Sequence, residues 1–182
     1  MKILAIIPAK LDSTRLKNKN IRKIDSIPMF IHSVNYAYKS EYNVDVVVSS
    51  ESDTIEELCN KYEVMFLRRP KELCGDTEVV DVYEYVINKQ LDKEYDIVVG
   101  LQPDNPNRVN TFDDCVNYMI ENKYDDVITI DEDYRRSGAM RLFNYNFLKQ
   151  GKVSYRIGCM KETATDIHTE EDLNEVKKYY DE

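Results

Sequence analysis

Glycine and proline are scarce, five of each in 182 residues. That excludes a collagen-like or low-complexity chain. The segment Pro8 to Asn20 holds no glycine at all. It is therefore neither a G-x-x-x-x-G-K-[ST] phosphate loop nor a dinucleotide fingerprint, both of which need glycine where backbone approaches phosphate. Cysteine is confined to Cys59, Cys74, Cys115 and Cys159, with wide gaps and no C-x-x-C pair. This is not a zinc-ligand pattern or a dense disulfide framework, and reduced thiols in the cytoplasm are expected. The two histidines, His32 and His168, are too far apart in sequence to suggest a catalytic triad. His32, beside Ile31 and Ser33, reads as structural. No apolar run approaches the roughly 18 residues of a membrane span. The opening run, Ile3 to Ile7, ends in Pro8-Ala9-Lys10 and is too short for a signal peptide. A basic excess is also lacking: 34 acids oppose 25 bases, for a net charge of −9. Neither a nucleic acid nor a membrane is an expected partner, since phosphate-rich polymers attract net positive surface.

What is present is an alternation of short apolar runs and amphipathic stretches. Strands are expected at Ile3–Ile7, Val44–Val48, Val64–Leu67, Ile97–Leu101 and Val127–Ile130, with a sixth at Val153–Ile157. Helical spacing places Met29, Phe30, Ser33, Val34 and Ala37 on one face. The same holds for Ile55, Leu58, Cys59 and Tyr62, for Val79, Val82, Tyr83 and Val86, and for Phe112, Cys115, Val116, Met119 and Ile120. Thr169 followed by Asp172 marks a helix start in the tail. The expectation is one domain over residues 1–182: a three-layer α/β/α sandwich with a mostly parallel, Rossmann-like sheet. Ligands then belong at the carboxyl ends of the strands, after Ile7, Val48, Leu67 and Leu101.

The first of these segments inverts the chain's charge. Lys10 to Lys23 carries six bases and one acid. A positive mouth that neutralises a polyphosphate and a plain solvated loop both fit that pattern.

Ile7-Pro8-Ala9-Lys10 through Asn20 resembles the opening loop of the sugar-acid cytidylyltransferases, the CMP-N-acylneuraminate and CMP-3-deoxy-octulosonate synthetases. Ser13, Arg15, Lys19 and Asn20 match that loop's I-P-A-R-x-x-S-x-R-x-x-x-K-N, and Lys10 replaces its arginine. Lysine keeps the charge and loses the bidentate fork. Val46–Ser52, Leu67–Thr77, Leu101–Arg108 and Thr165–Leu173 resemble four further family segments in the same order. The implied fold is that of a nucleotidyltransferase. The implied chemistry is attack on the α-phosphorus of CTP by a small anionic acceptor, a sugar acid, phosphate or phosphonate, with release of pyrophosphate. Such a step rests on positioning and charge neutralisation.

The resemblance implies roles residue by residue. Lys10, Arg15 and Lys19 contact phosphate and are the catalytic candidates. Ala9, Ser13 and Asn20 join them around the nucleotide, with backbone N–H groups from Ala9 to Ser13 adding to a cradle. Lys17, Arg22 and Lys23 read as surface charge. Arg69 holds the nucleotide, with Arg68 as the alternative. Asp76 lies near base or ribose, or caps a helix. Gln102 faces the acceptor, and Arg135, Arg136 and Arg141 lie where an anionic acceptor would bind, with ordinary surface charge the other reading of each and the favoured one for each taken singly. Asp104 and Asp166 bind Mg²⁺, or alternatively Mn²⁺, with a turn-capping role the other reading of Asp104. The family has D-x-D where this chain has Asp166-Ile167-His168. Imidazole is a poor magnesium ligand and a good transition-metal ligand. Metal binding through the two aspartates alone, a shifted metal preference, and weak or lost activity all follow as options. Only seven residues separate Ile130 from Gly138-Ala139-Met140, where the family carries a dimerisation arm. A monomer, or a homodimer unlike the family's, is expected. Guanylyl or other nucleotidyl transfer to a sugar phosphate, and a non-catalytic nucleotide-binding protein, are the competing readings.

Overall fold

The computed structural model describes residues 1–75, 77–89, 93–152 and 154–181. Its sheet has seven strands: β1 (Lys2–Pro8), β4 (Asn43–Ser50), β5 (Met65–Arg68), β6 (Ile97–Leu101), β7 (Asp126–Ile130), β8 (Arg136–Asn144) and β9 (Ile157–Lys161). Their order is β5-β4-β1-β6-β8-β7-β9. β1 lies between β4 and β6, parallel to both. β5 is parallel to β4 and β9 to β7, while β8 runs antiparallel to β6 and β7. A two-stranded hairpin, β2 (Lys23–Ile24) with β3 (Ile27–Pro28), precedes the first helix.

The run Ile3–Ile7 is apolar at every position because β1 is buried on both faces. Ile3, Ala5 and Ile7 meet α1 (Met29–Tyr38), α2 (Asp53–Lys61) and α4 (Phe112–Glu121). Leu4 and Ile6 point the other way, against α3 (Val79–Lys89) and α5 (Tyr145–Lys149). Three layers result. The last helix, α6 (Glu170–Asp181), packs Leu173 and Val176 against Leu16, Ile24 and Met29, closing the end where the first loop lies. The Ser52 hydroxyl accepts from the Ile55 N–H at the start of α2, and Thr111 with Asp114 forms a capping box on α4.

The sixth strand is shifted from its expected place. It runs from Ile157 to Lys161 and is an edge strand, with only Gly158 buried. Val153 lies outside the described residues. β8 carries no strand signature in sequence, because it opens on Arg136 and Ser137 and turns through Gly138 at φ 76°. The connection from β7 to β8 is a five-residue turn, 131–135, in which the Asp131 carboxylate accepts from the N–H groups of Asp133 and Arg135. No arm fits between these strands. Among the described residues, no helix is long and apolar enough to cross a membrane.

Candidate functional site

The carboxyl ends of β1, β5 and β6 open onto a cavity of about 240 Å³. Lys10, Ser13, Arg15, Lys19, Asn20, Arg69, Gln102 and Asp104 all line it. The sequence separates these residues by up to 94 positions, and the parallel sheet brings them to one mouth.

Each wall has its own support. Lys10 and Arg15 are exposed on the loop after β1, and the Lys10 ammonium reaches the Gly75 carbonyl at 3.5 Å. Lys19 is buried: its Nζ donates to Asp104 Oδ2 at 2.6 Å and to the Ile167 carbonyl at 2.9 Å. Asn20 is buried too. Its Nδ2 donates to the Lys10 carbonyl at 2.8 Å, which ties the loop's two ends together, while its Oδ1 has no partner among the described residues. Arg69, just past the end of β5, and Arg68, its last residue, point apart as adjacent residues of extended backbone do. Arg69 turns into the cavity, its Nε and Nη2 on Glu51 Oε2 at 3.1 and 2.7 Å. Arg68 lies on the opposite side, against Asp53 and Glu56 of α2.

Glu51 is a part of the site that the sequence reading missed. Beyond Arg69, its Oε1 accepts the Leu11 N–H at 3.1 Å. Burial works against its charge, yet the Arg69 bonds and backbone N–H groups outweigh burial and hold the carboxyl below its ordinary range. The available signal was an acid directly after the buried Ser49-Ser50 pair that ends β4. Arg108 is the second such residue. Buried, it donates to the Gln102 carbonyl at 2.6 Å, to the Ala139 carbonyl at 2.9 Å and to Ser33 Oγ at 3.1 Å. It thereby fixes the backbone that carries Gln102 and Asp104.

Two expected placements are corrected. The Ala9 N–H bonds the Ser49 carbonyl at 3.0 Å, and the Leu11 N–H is held by Glu51, so neither is spare for a phosphate. Arg141 does not line the cavity. The register of β8 sets it beside Asp126 of β7, which it grips through Nε and Nη2 at 3.0 and 2.6 Å, with its guanidinium over the Phe143 ring. Arg135 and Arg136 are exposed at the β7–β8 turn. Asp76 lies outside the described residues. His32 is structural: buried, bonded to the Ile24 carbonyl at 2.9 Å and edge-on to Tyr180.

Beside Lys19, a second group of ligand-bearing side chains converges. Asp104, Asp166 and His168 each offer an atom within 4.8 Å of the others. Ile167 is buried and its N–H bonds the Asp104 carbonyl at 3.0 Å, so residues 166 and 168 flank it and face the same way. His168 Nε2 lies 2.9 Å from Asp166 Oδ2, and its Nδ1 is buried without a partner among the described residues. The Asp166 carboxyl is held above its ordinary value, first by burial and then by the charge of Asp104. Two carboxylates and an imidazole suit a divalent cation.

A family model described as cytidylyltransferase matches residues 4–180. The N-acylneuraminate cytidylyltransferase of Escherichia coli O18:K1:H7 is 28% identical over 158 residues, covering 85% of this chain and 37% of that protein. The CMP-N,N'-diacetyllegionaminic acid synthase of Legionella pneumophila is 36% identical over 115 residues, covering 59% of this chain and 48% of that one. The chain thus spans less than half the length of these relatives. Among solved structures, a CMP:2-keto-3-deoxy-manno-octonic acid synthetase complexed with CTP shares the fold, with a TM-score of 0.78 at 16% identity over 100% of this chain and 99% of that one. A cytidylyltransferase from Leptospira borgpetersenii gives 0.72 at 17% identity over 97% of this chain and 85% of that one. The motif order, the sheet topology and the match over residues 4–180 agree: the chain belongs to the cytidylyltransferase family.

Proposed function

We propose that this chain transfers CMP from CTP to an oxygen of a small anionic acceptor and releases pyrophosphate, with a divalent cation bound. The observation that carries this reading is the meeting of Lys10, Arg15, Lys19 and Asp104 in one cavity at the strand ends. The choice of cytidine draws on the relatives' names, cytidylyltransferase and CMP-sugar synthase.

In this reading the acceptor oxygen forms a bond to the α-phosphorus as the bond to pyrophosphate breaks. Lys10 and Arg15 neutralise the β- and γ-phosphates from the open side of the cavity. Lys19 meets developing charge from the buried side, where a cation acts more strongly than in water. Arg69, braced by Glu51, and Asn20, through its unpartnered Oδ1, position the nucleotide. Ser13 contributes a hydroxyl to the phosphate wall. Gln102 faces the acceptor. Asp104 and Asp166 hold the cation, Mg²⁺ or Mn²⁺, which supplies Lewis-acid polarisation of the phosphate oxygens when bound. No side chain acts as a covalent nucleophile. The short β7–β8 turn leaves the acceptor side open.

The test is pyrophosphate release with each of the four nucleoside triphosphates, a divalent cation and a panel of sugar acids, sugar phosphates and phosphonates. Release with CTP alone, dependent on one acceptor and lost in Asp104→Ala, is the expected result. Absence of CTP binding in the same samples overturns the reading.

A further inference from the structure

We infer that His168 completes a mixed oxygen–nitrogen cation site with Asp104 and Asp166, and that this site selects first-row transition ions, Mn²⁺ included, over Mg²⁺. The inference deepens the proposed function, on which it rests for the role of the ion.

Two observations place the ring for an ion. Its Nε2 faces the carboxylates, 2.9 Å from Asp166 Oδ2, and belongs to a set whose ligand atoms lie within 4.8 Å of one another. Its position is set by the fold: the His168 N–H bonds Asp172 Oδ2 at 2.8 Å as part of the α6 start, and the buried Ile167 locks the preceding residue. Its Nδ1 is buried without a hydrogen-bond partner among the described residues. With Nε2 on an ion, Nδ1 carries the ring proton, so the outer-shell acceptor that usually orients a ligating histidine is not supplied by the described residues. The backbone anchor keeps Nε2 on the acidic side.

The chemistry of the donor set then decides the ion. Mg²⁺ takes oxygen ligands almost exclusively and keeps its waters, so an imidazole adds little to its affinity. The later ions of the divalent series accept imidazole nitrogen readily, and Mn²⁺, the weakest of that series, gains less from it than they do and more than Mg²⁺ does. Of the three side chains, His168 alone discriminates between the two classes, since the carboxylates serve both. Lys19 and Arg15 stand close by and weaken cation binding in the nucleotide-free protein, but they act equally on Mg²⁺ and Mn²⁺. The ratio of affinities is therefore the property that His168 controls.

The experiment titrates the full chain with Mn²⁺, following loss of the free-ion EPR signal, and repeats it against Mg²⁺ as competitor. The expected Mn²⁺:Mg²⁺ affinity ratio falls by on the order of tenfold to a hundredfold in His168→Asp and His168→Asn. Pulsed EPR of the bound Mn²⁺ shows imidazole nitrogen coupling in the parent chain and none in either variant. CTP binding is measured calorimetrically in the same preparations. An unchanged ratio in His168→Asp, or bound Mn²⁺ with no nitrogen coupling, overturns the inference even where CTP binds. Nitrogen-coupled Mn²⁺ in a chain that ignores CTP sustains the metal site and overturns the nucleotidyl-transfer reading instead.

Discussion

The Lys19 ammonium stands 2.6 Å from Asp104, with side-chain exposures of only 9% and 19%. One carboxylate thus serves two cations: the lysine that is always there and the divalent ion proposed beside it. A buried, short ion pair of this kind places Lys19 between the phosphate wall and the metal site. Lys19→Met should lower pyrophosphate release by roughly a hundredfold to a thousandfold, as loss of one preorganised charge donor does. In the same variant, Mn²⁺ binding to the nucleotide-free chain should become tighter, because Asp104 loses its competing partner. Single-turnover kinetics and an EPR titration read the two effects separately. Loss of turnover with weaker Mn²⁺ binding would show instead that Lys19 merely props up the site.

Glu51 makes a second prediction, this time against pH. Its carboxyl is partly buried, which alone would raise its pKa, but the Arg69 bonds and backbone N–H groups hold it below the ordinary value. A carboxyl depressed in the folded state stabilises the fold above its unfolded pKa, and the contribution fades as pH falls through the folded value. Glu51→Gln should therefore lose stability mainly at neutral pH and approach the parent below the usual carboxylate range. Urea unfolding at pH 7 and in mild acid measures this. The same variant should raise KM for the nucleotide more than it lowers kcat, because Arg69 loses its brace while Lys19 is untouched.

Much of this architecture was written plainly in the residues. β1 and α1 announce themselves, one by unbroken aliphatic character and the other by spacing, and the basic loop between them stands out against an acidic chain. The meeting of Lys19 with Asp104, 85 positions on, needed the sheet order, which periodicity does not encode. The elements that were shifted or missed, β9 and β8 respectively, are those whose stability comes from neighbours. Among the described residues β9 pairs with β7 alone and buries little, and β8 is held antiparallel between β6 and β7 with arginine and glycine near its start. Arg141 was misplaced for the same reason, since its partner Asp126 is set by strand register. Glu51 was overlooked because an acid in a phosphate site looks wrong until its arginine is seen.

Arg108 links the core to the cavity rim. Its guanidinium is buried over the Tyr36 ring and satisfies the carbonyls of Gln102 and Ala139. Arg108→Met keeps much of the volume and strips both carbonyls of a charged donor. A loss of about 1.5–3 kcal/mol is expected in denaturant unfolding, from the lost charge-assisted hydrogen bonds, since the Ala139 and Gln102 carbonyls keep the longer bonds from the Gln102 and Asn105 N–H groups. Activity should fall further than stability explains, because Gln102 and Asp104 ride on the freed backbone. An active, stable Arg108→Met would remove Arg108 from any part in shaping the site.

Gly100 sits mid-sheet on β6, beneath the phenol of Tyr83. A Cβ added there would come within 2.1 Å of the ring's Cζ and 2.2 Å of its hydroxyl oxygen, far inside any real contact. The ring has nowhere to retreat, since Tyr83 is buried and edge-packed on Phe143 of β8. Gly100→Ala should thus destabilise the fold by about 1–3 kcal/mol, the usual cost of overpacking a filled core. Gly100 also lies two residues before Gln102, so the displaced ring pushes on the strand that delivers the acceptor side of the cavity. Pairing Gly100→Ala with Tyr83→Leu separates the causes. If the clash is responsible, the alanine costs much less in the leucine background, and a double-mutant cycle by urea unfolding shows strong coupling. If the two costs simply add, the glycine is needed for its backbone and not for the space that Tyr83 occupies.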